Sequence, residues 1–231
     1  MSLSSTHRWI HRSVRLAAVL IGLGLWFWSQ SLIGRRSFDG SGIGDALHVW
    51  LAPLHAMLTA NPQVADGLLI ASSLGIDTFG LYLLLSSIIG STIRPFLGLV
   101  VLFSLRQLCQ ALTALPSPEG MIWRDPGMPS LLVTYGVSND LFFSGHTAIA
   151  VYGAIELWRR FGWHWVAVVG SGVALFEAGT VLALRAHYTM DVFTGAVTAG
   201  LVVILAGKLA QPVDTWLAHL GGRLRLKPPT S

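Results

Sequence analysis

Six runs of apolar residues, each close to twenty long and nearly free of charge, constrain this chain more than any other feature; they fall at about 15–33, 67–90, 95–115, 141–160, 164–184 and 188–208. About 20 helical residues cross the hydrocarbon core of a bilayer, and only a helix satisfies every backbone N–H and C=O of a single apolar run from within. A soluble fold built from such runs fails at its surface. With 53% hydrophobic and 11% charged residues, the sequence has too few charges to cover a water-facing exterior. The spacing predicts an all-α, polytopic membrane protein with six transmembrane helices, folded as a single membrane domain over 1–231.

The first run follows Arg8, Arg12 and Arg15 as a signal peptide would, but it is too long for one and leads into Gly34-Arg35-Arg36 rather than a small-residue cleavage site. It reads as an uncleaved anchor. Residues 43–60 form a shorter amphipathic segment interrupted at Pro53, with Trp50, Leu51, Leu54 and Leu58 on its apolar side. That segment is expected to lie in the membrane interface between the first two spans. His48 and His55 are seven apart and share a face; with no carboxylate or third nitrogen at matching spacing, they read as solvated interfacial histidines rather than metal ligands. Leu115-Pro116-Ser117-Pro118 ends the third run, since proline cannot continue the helical ladder. The 26 residues at 115–140 then form a long loop of the kind that carries function. Cys109 is the single cysteine, so no internal disulfide forms.

Charge sets the orientation. With six spans, Arg8, Arg12, Arg15, Arg94, Arg159, Arg160, Lys208, Arg223, Arg225 and Lys227 share one side, against Arg35, Arg36, Arg124 and Arg185 on the other. Ten against four places the termini in the cytoplasm, as in a multi-pass protein of a bacterial inner membrane. The opposite, periplasmic or lumenal face holds two short motifs, Ser144-Gly145-His146-Thr147 at the start of the fourth span and His187-Tyr188-Thr189-Met190-Asp191 at the turn into the sixth.

Those motifs carry chemistry. His187 and Asp191 are four apart, so on a helix they share a face, and the carboxylate can orient the imidazole and stabilise its charged form. The other ring nitrogen is then a usable nucleophile toward phosphorus, giving a phosphohistidine. His146, at similar depth, can protonate the departing oxygen. Ser144 and Gly145 allow donors at a helix amino-terminus to approach an anion. Tyr188, beside the nucleophile, is a further site candidate by position.

The two motifs together resemble the type 2 phosphatidic acid phosphatase superfamily. Asp140-Leu141-Phe142-Phe143-Ser144-Gly145-His146-Thr147 with the HYTMD motif is similar to its sphingomyelin synthase branch in particular. Arg106 followed by Leu112-Thr113-Ala114-Leu115-Pro116-Ser117-Pro118 resembles that branch's arginine and T-x-LP-x-P stretch at the end of its third span. The similarity covers roughly 94–200. It implies a catalytic core at about 94–208 behind an anchor and interfacial segment at about 15–62. His146, His187 and Asp191 would be the catalytic triad, with Asp140 as an accessory acid. The chain departs from the phosphatase branch, which has a lysine seven residues before an Arg-Pro pair: Ser87 stands there before Arg94-Pro95, and Arg94 is assigned to cytoplasmic anchoring. Val181 stands where that branch places an arginine six before its second histidine, with Arg185 two before instead. Ser138-Asn139 replace the synthase branch's Cys-Gly.

Asp77, Arg106 and Glu177 fall inside predicted spans, each about ten residues from the same face, which implies one polar cluster. Arg106 reads as a phosphate ligand and Asp77 as structural, while Glu156, beside Arg159 and Arg160, reads as a helix-surface ion pair. Trp123 and Tyr135 read as interfacial belt residues that could also close over a choline-like cation.

The resemblance implies transfer of a phosphoryl headgroup from a glycerophospholipid to a lipid hydroxyl, ceramide or diacylglycerol-like, with water as acceptor in the hydrolase alternative. The motifs do not separate the two. A non-catalytic lipid-binding or scramblase-like protein and a proton-relay transporter are the readings from other classes. The expected partners are a phospholipid donor, a lipid or water acceptor and surrounding membrane lipid, not nucleic acid. No cofactor or metal is called for, because histidine and arginine supply the charge.

Overall fold

Local punctuation sets where each apolar run becomes a helix in the computed structural model of the chain. The structure describes residues 43–133, 135 and 141–225 and the isolated positions 21, 24 and 28, with side chains up to residue 219. The first expected span therefore lies almost wholly outside the described residues, and Asp140 lies outside them too. Among the described residues the regular elements are all helices: α1 (Ala46–Trp50), α2 (Ala52–Ala60), α3 (Pro62–Ile89), α4 (Arg94–Leu112), α5 (Gly145–Phe161), α6 (His164–Ala183) and α7 (Thr189–Arg225). Pro62 and Pro95 sit in first turns, where a missing N–H costs nothing. Gly162, at φ 70°, closes α5 in the left-handed conformation that glycine adopts without penalty. Three boundaries differ from expectation: the 43–60 segment breaks at Leu51, with Pro53 in the first turn of α2, α3 starts at Pro62 rather than near 67, and α7 does not end near 208 but runs through Pro212. Beyond that proline, Asp214 accepts hydrogen bonds from Thr92 Oγ1 (2.7 Å) and Ile93 N (2.9 Å), which anchors the extension on the α3–α4 turn.

α3, α4, α6 and α7, over 62–89, 94–112, 164–183 and 189–219, are long and apolar enough to cross a membrane. Val168, Leu175, Phe193, Leu201 and Ile204 face outward from them, the apolar exterior of a membrane protein. α5 is shorter, 17 residues or about 26 Å, and lies at the centre, packed on α6, α7, α3 and α4. From Asp45 onward the helices form one unit. Helices associate in lipid through small residues that let backbones approach. Gly98 on α4 lies against the Tyr152 phenol, and Gly195 on α7 lies against the Ser144 carbonyl. The second contact brings the start of α5 against the second turn of α7.

The expected polar cluster resolves into separate sites. Glu177 Oε2 accepts from Ser72 Oγ at 2.5 Å, joining α6 to α3. Asp77 accepts from the N–H groups of Leu131 (2.8 Å) and Leu132 (2.9 Å), holding the long loop. Arg106 faces the start of α5. Equal depth along three helices does not fix azimuth, and these side chains leave their helices in different directions. Glu156 also differs from expectation: it is buried and pairs across helices with Arg94 at 2.6 Å, with Arg159 at 4.0 Å. Arg94 is thus a partner in a buried ion pair rather than only an interfacial anchor.

Candidate active site

The start of α5 is built around Ser144. Its hydroxyl accepts from Thr147 N (3.4 Å) and Thr147 Oγ1 (3.2 Å), capping the helix, while its N–H donates to the Asp191 carbonyl at 3.0 Å. Gly145 follows, and a Cβ there would stand 3.2 Å from Arg106 Nε. The missing side chain is what lets the guanidinium lie beside the helix start, where Arg106 Nε donates to the Phe143 carbonyl at 3.0 Å. A cation gains nothing from a helix amino-terminus, whose own partial charge is positive. Together the two make a place for an anion.

His187 sits in the turn between α6 and α7. Arg185 in this turn has φ 52°, a left-handed conformation uncommon outside glycine. The turn is held by hydrogen bonds from Ala186 N (2.8 Å) and His187 N (3.3 Å) to the Val181 carbonyl and from Ile122 N to the Leu184 carbonyl (2.8 Å). Asp191, fully buried in the first turn of α7, accepts from Tyr188 N at 2.9 Å and stands 3.5 Å from His187 Nδ1. That separation is within ion-pair range and too long for a hydrogen bond of ordinary strength. The spacing of four anticipated the pairing, and the geometry leaves His187 Nε2 as the outward nitrogen.

His146, His187, Arg106 and Gly145 line one cavity of about 540 Å³, its mouth included, whose apolar wall includes Ile76 and Ile149. Among the described residues His146 Nε2 and His187 Nδ1 are buried and make no hydrogen bond. The sequence candidates thus divide. His146, His187, Arg106 and Gly145 meet at the cavity, with Asp191 behind His187 and Ser144 beneath them as a cap. Tyr188 and Arg185 turn elsewhere: the Tyr188 hydroxyl donates to the Pro116 carbonyl (3.0 Å), and Arg185 Nη1 donates to the Glu119 carbonyl (2.9 Å).

The structure adds residues that spacing did not assign. Trp123, from the long loop, stands edge-on to His146 with ring centroids 5.2 Å apart and packs on Tyr135 at 5.0 Å. Tyr135 in turn shares a hydrogen bond with Ser73 at 2.6 Å. These aromatics pack inward and Trp123 lines the cavity, rather than standing as a peripheral belt. His48 and His55 are not solvated. Both are buried, with His48 Nε2 2.9 Å from the His187 carbonyl and His55 Nδ1 2.9 Å from the Ala183 carbonyl. Asp45 accepts from Thr189 N and Thr189 Oγ1, both at 2.6 Å. No group of three or more histidine, cysteine or acidic side chains suited to a metal ion occurs among the described residues.

The sequence model of a family described as AtPDCT1/2 matches residues 45–208. Phosphatidylcholine:diacylglycerol cholinephosphotransferase 1 of Arabidopsis thaliana is 24% identical over 168 residues, covering 73% of this chain and 54% of the plant protein. The chain therefore spans about half the length of that relative. No solved structure matches.

Proposed function

The chain belongs to the family described as AtPDCT1/2, and on that premise we propose that it is a membrane-embedded lipid headgroup phosphotransferase acting from a phosphatidylcholine-like donor to a lipid hydroxyl. One observation carries the chemistry: His146, His187 and Arg106 line a single cavity, with Asp191 set behind His187. His187 Nε2 attacks the donor phosphorus and the bond to the glycerol oxygen breaks. His146, in its protonated form, gives that oxygen its proton. The headgroup is then held as a phosphohistidine. The acceptor hydroxyl loses its proton to His146, its oxygen attacks phosphorus, and the P–N bond breaks, returning His187. Asp191 holds the imidazole and offsets its charge, and its 3.5 Å contact tightens in the substrate complex, as catalytic contacts commonly do. Arg106 and the α5 amino-terminus hold the phosphate oxygens. The Trp123 ring is an aromatic wall for the quaternary ammonium.

The acceptor is of the diacylglycerol type, as the name of the plant relative suggests; ceramide is the acceptor that the resemblance to sphingomyelin synthases would favour. In the membrane we read six spans, with α5 as one of them and α1–α2 at the interface between the first and second. The charge asymmetry supports cytoplasmic termini and a periplasmic or lumenal cavity.

The test uses purified protein in detergent with headgroup-labelled phosphatidylcholine and, as acceptor, diacylglycerol of distinguishable acyl chains, ceramide or neither. Labelled product on diacylglycerol, lost in His187→Ala and reduced by orders of magnitude in Asp191→Asn, is the expected result. Free phosphocholine without lipid product moves the reading to a hydrolase. No product of any kind, or full activity in His187→Ala, overturns it.

A further inference from the structure

Resting on His187 as the nucleophile, we infer that Asp45 and His48 are positioning residues for it, and that α1 and α2 form a clamp on the turn that carries it. The direction of the His187 side chain is set by the backbone of one residue between two long helices. The turn's own hydrogen bonds leave the carbonyls of Ala183 and His187 and the N–H of Thr189 to find other partners, as helix ends do. α1 and its neighbours supply all three. His55 Nδ1 lies 2.9 Å from the Ala183 carbonyl and His48 Nε2 2.9 Å from the His187 carbonyl. A carbonyl only accepts, so His48 carries its hydrogen on Nε2 and His55 on Nδ1.

Asp45 closes the arrangement. Oδ2 accepts from Thr189 N and Oδ1 from Thr189 Oγ1, both at 2.6 Å. Oδ1 also accepts from Leu47 N (3.0 Å) and His48 N (3.2 Å), so one carboxylate caps α1 and holds the first residue of α7. His48 and Asp45 therefore grip the residues on either side of Tyr188, and the His48 ring stacks on Tyr188 with centroids 5.7 Å apart. Rotation of the His187 peptide is opposed from both sides. A displacement near 1 Å at a reacting group costs on the order of 10²-fold in rate, so the clamp acts on turnover through geometry, without touching substrate.

The experiment measures kcat and KM of the full chain with headgroup-labelled phosphatidylcholine and diacylglycerol of distinguishable acyl chains in mixed micelles for His48→Ala, His48→Gln, His48→Asn and His187→Ala, each checked by thermal unfolding. The amide nitrogen of glutamine stands near imidazole Nε2 and donates; that of asparagine falls near Nδ1 and does not reach. His48→Ala is expected to lose kcat by on the order of 10²-fold with KM little changed, with His48→Gln restoring most of the loss and His48→Asn none. If His48→Ala does not fold, the comparison of glutamine with asparagine decides alone. Wild-type kcat in a folded His48→Ala, or glutamine no better than asparagine, overturns the clamp while an inactive His187→Ala keeps the catalytic reading. An active His187→Ala overturns both.

Discussion

Gly195→Ala is the sharpest test of how the two motifs are held together. Gly195 lies one helical turn beyond Asp191, and a Cβ there would stand 2.6 Å from Ser144 O and 3.5 Å from Ala148 N. Ordinary contact begins near 3.4 Å, so going from 2.6 to 3.4 Å means the seam opens by about 0.8 Å. No flexible side chain can give way, because Ser144 O is backbone and already accepts the first hydrogen bond of α5, from Ala148 N at 3.1 Å. The same opening stretches the bond from Ser144 N to Asp191 O from its 3.0 Å.

Overpacking costs about 1–3 kcal/mol and the lost hydrogen bond about 1, offset by roughly 0.5–1 kcal/mol from replacing glycine with alanine in a helix. The net is about 1–3.5 kcal/mol, a fall in Tm of roughly 2–14 °C for a chain of this size. Because the seam carries Asp191 on one side and leads to His146 on the other, kcat falls roughly 10- to 100-fold. Gly200→Ala is the control: five residues on, a Cβ meets nothing within 4 Å, and stability holds or rises slightly. Turnover and thermal unfolding of both variants decide it. Wild-type Tm and kcat in Gly195→Ala, or an equal loss in Gly200→Ala, refute the reasoning.

Glu156→Leu removes the 2.6 Å partner of an Arg94 side chain that is 22% exposed. The cost is about 3 kcal/mol, the low end for a broken buried pair, and Arg94→Met combined with Glu156→Leu recovers most of it. Glu156 lies ten residues, about 15 Å, along α5 from His146, so kcat stays unchanged in the folded variant; lost turnover at retained Tm would contradict this. Burial alone would raise the Asp45 carboxyl, but its hydrogen bonds from the Thr189 hydroxyl and N–H and from His48 N outweigh that and hold it below its ordinary value. A depressed carboxyl stabilises the fold above its unfolded value, near 3.9, and that contribution is lost as pH falls through the folded one. Tm against pH should therefore fall more steeply in acid for the wild type than for Asp45→Asn, and parallel curves would count against the bonds.

What could be read from the chain was mostly what is local to it. His187 and Asp191 meet because a separation of four spans the turn into α7, with His187 two residues before the first helical residue, and Ser144, expected to offer donors to an anion, makes the local contact of a cap on α5 instead. Pro62, Pro95 and Gly162 set boundaries for the same reason. The structural role expected of Asp77 holds, but the single cluster with Arg106 does not, because it depends on the azimuth of each helix. Asp77 and Glu177 share a depth with Arg106 and yet leave in other directions, one to the loop at Leu131 and the other to Ser72. Trp123 reaches the cavity from a loop that is held on α3 by Asp77 and by the pair of Arg124 with Asp66 at 2.7 Å. No spacing in the sequence encodes that.

His48 and His55 are the instructive case. Their shared face was legible from a separation of seven, but the turn they grip lies 139 and 128 residues further on. Absence of a matching ligand set argued against a metal, and that argument did not bear on burial. A different physical question points to them. α6 ends at Ala183 and α7 begins at Thr189, so a five-residue turn must satisfy the last carbonyls of one helix and the first N–H groups of the next. Lipid offers those groups nothing. The carbonyls need donors and the N–H groups need an acceptor, and the segment 45–55 brings two imidazoles and a carboxylate to this turn. Matching unsatisfied backbone groups to polar side chains by donor and acceptor, rather than by sequence spacing, selects Asp45, His48 and His55 as the partners of the turn that carries His187.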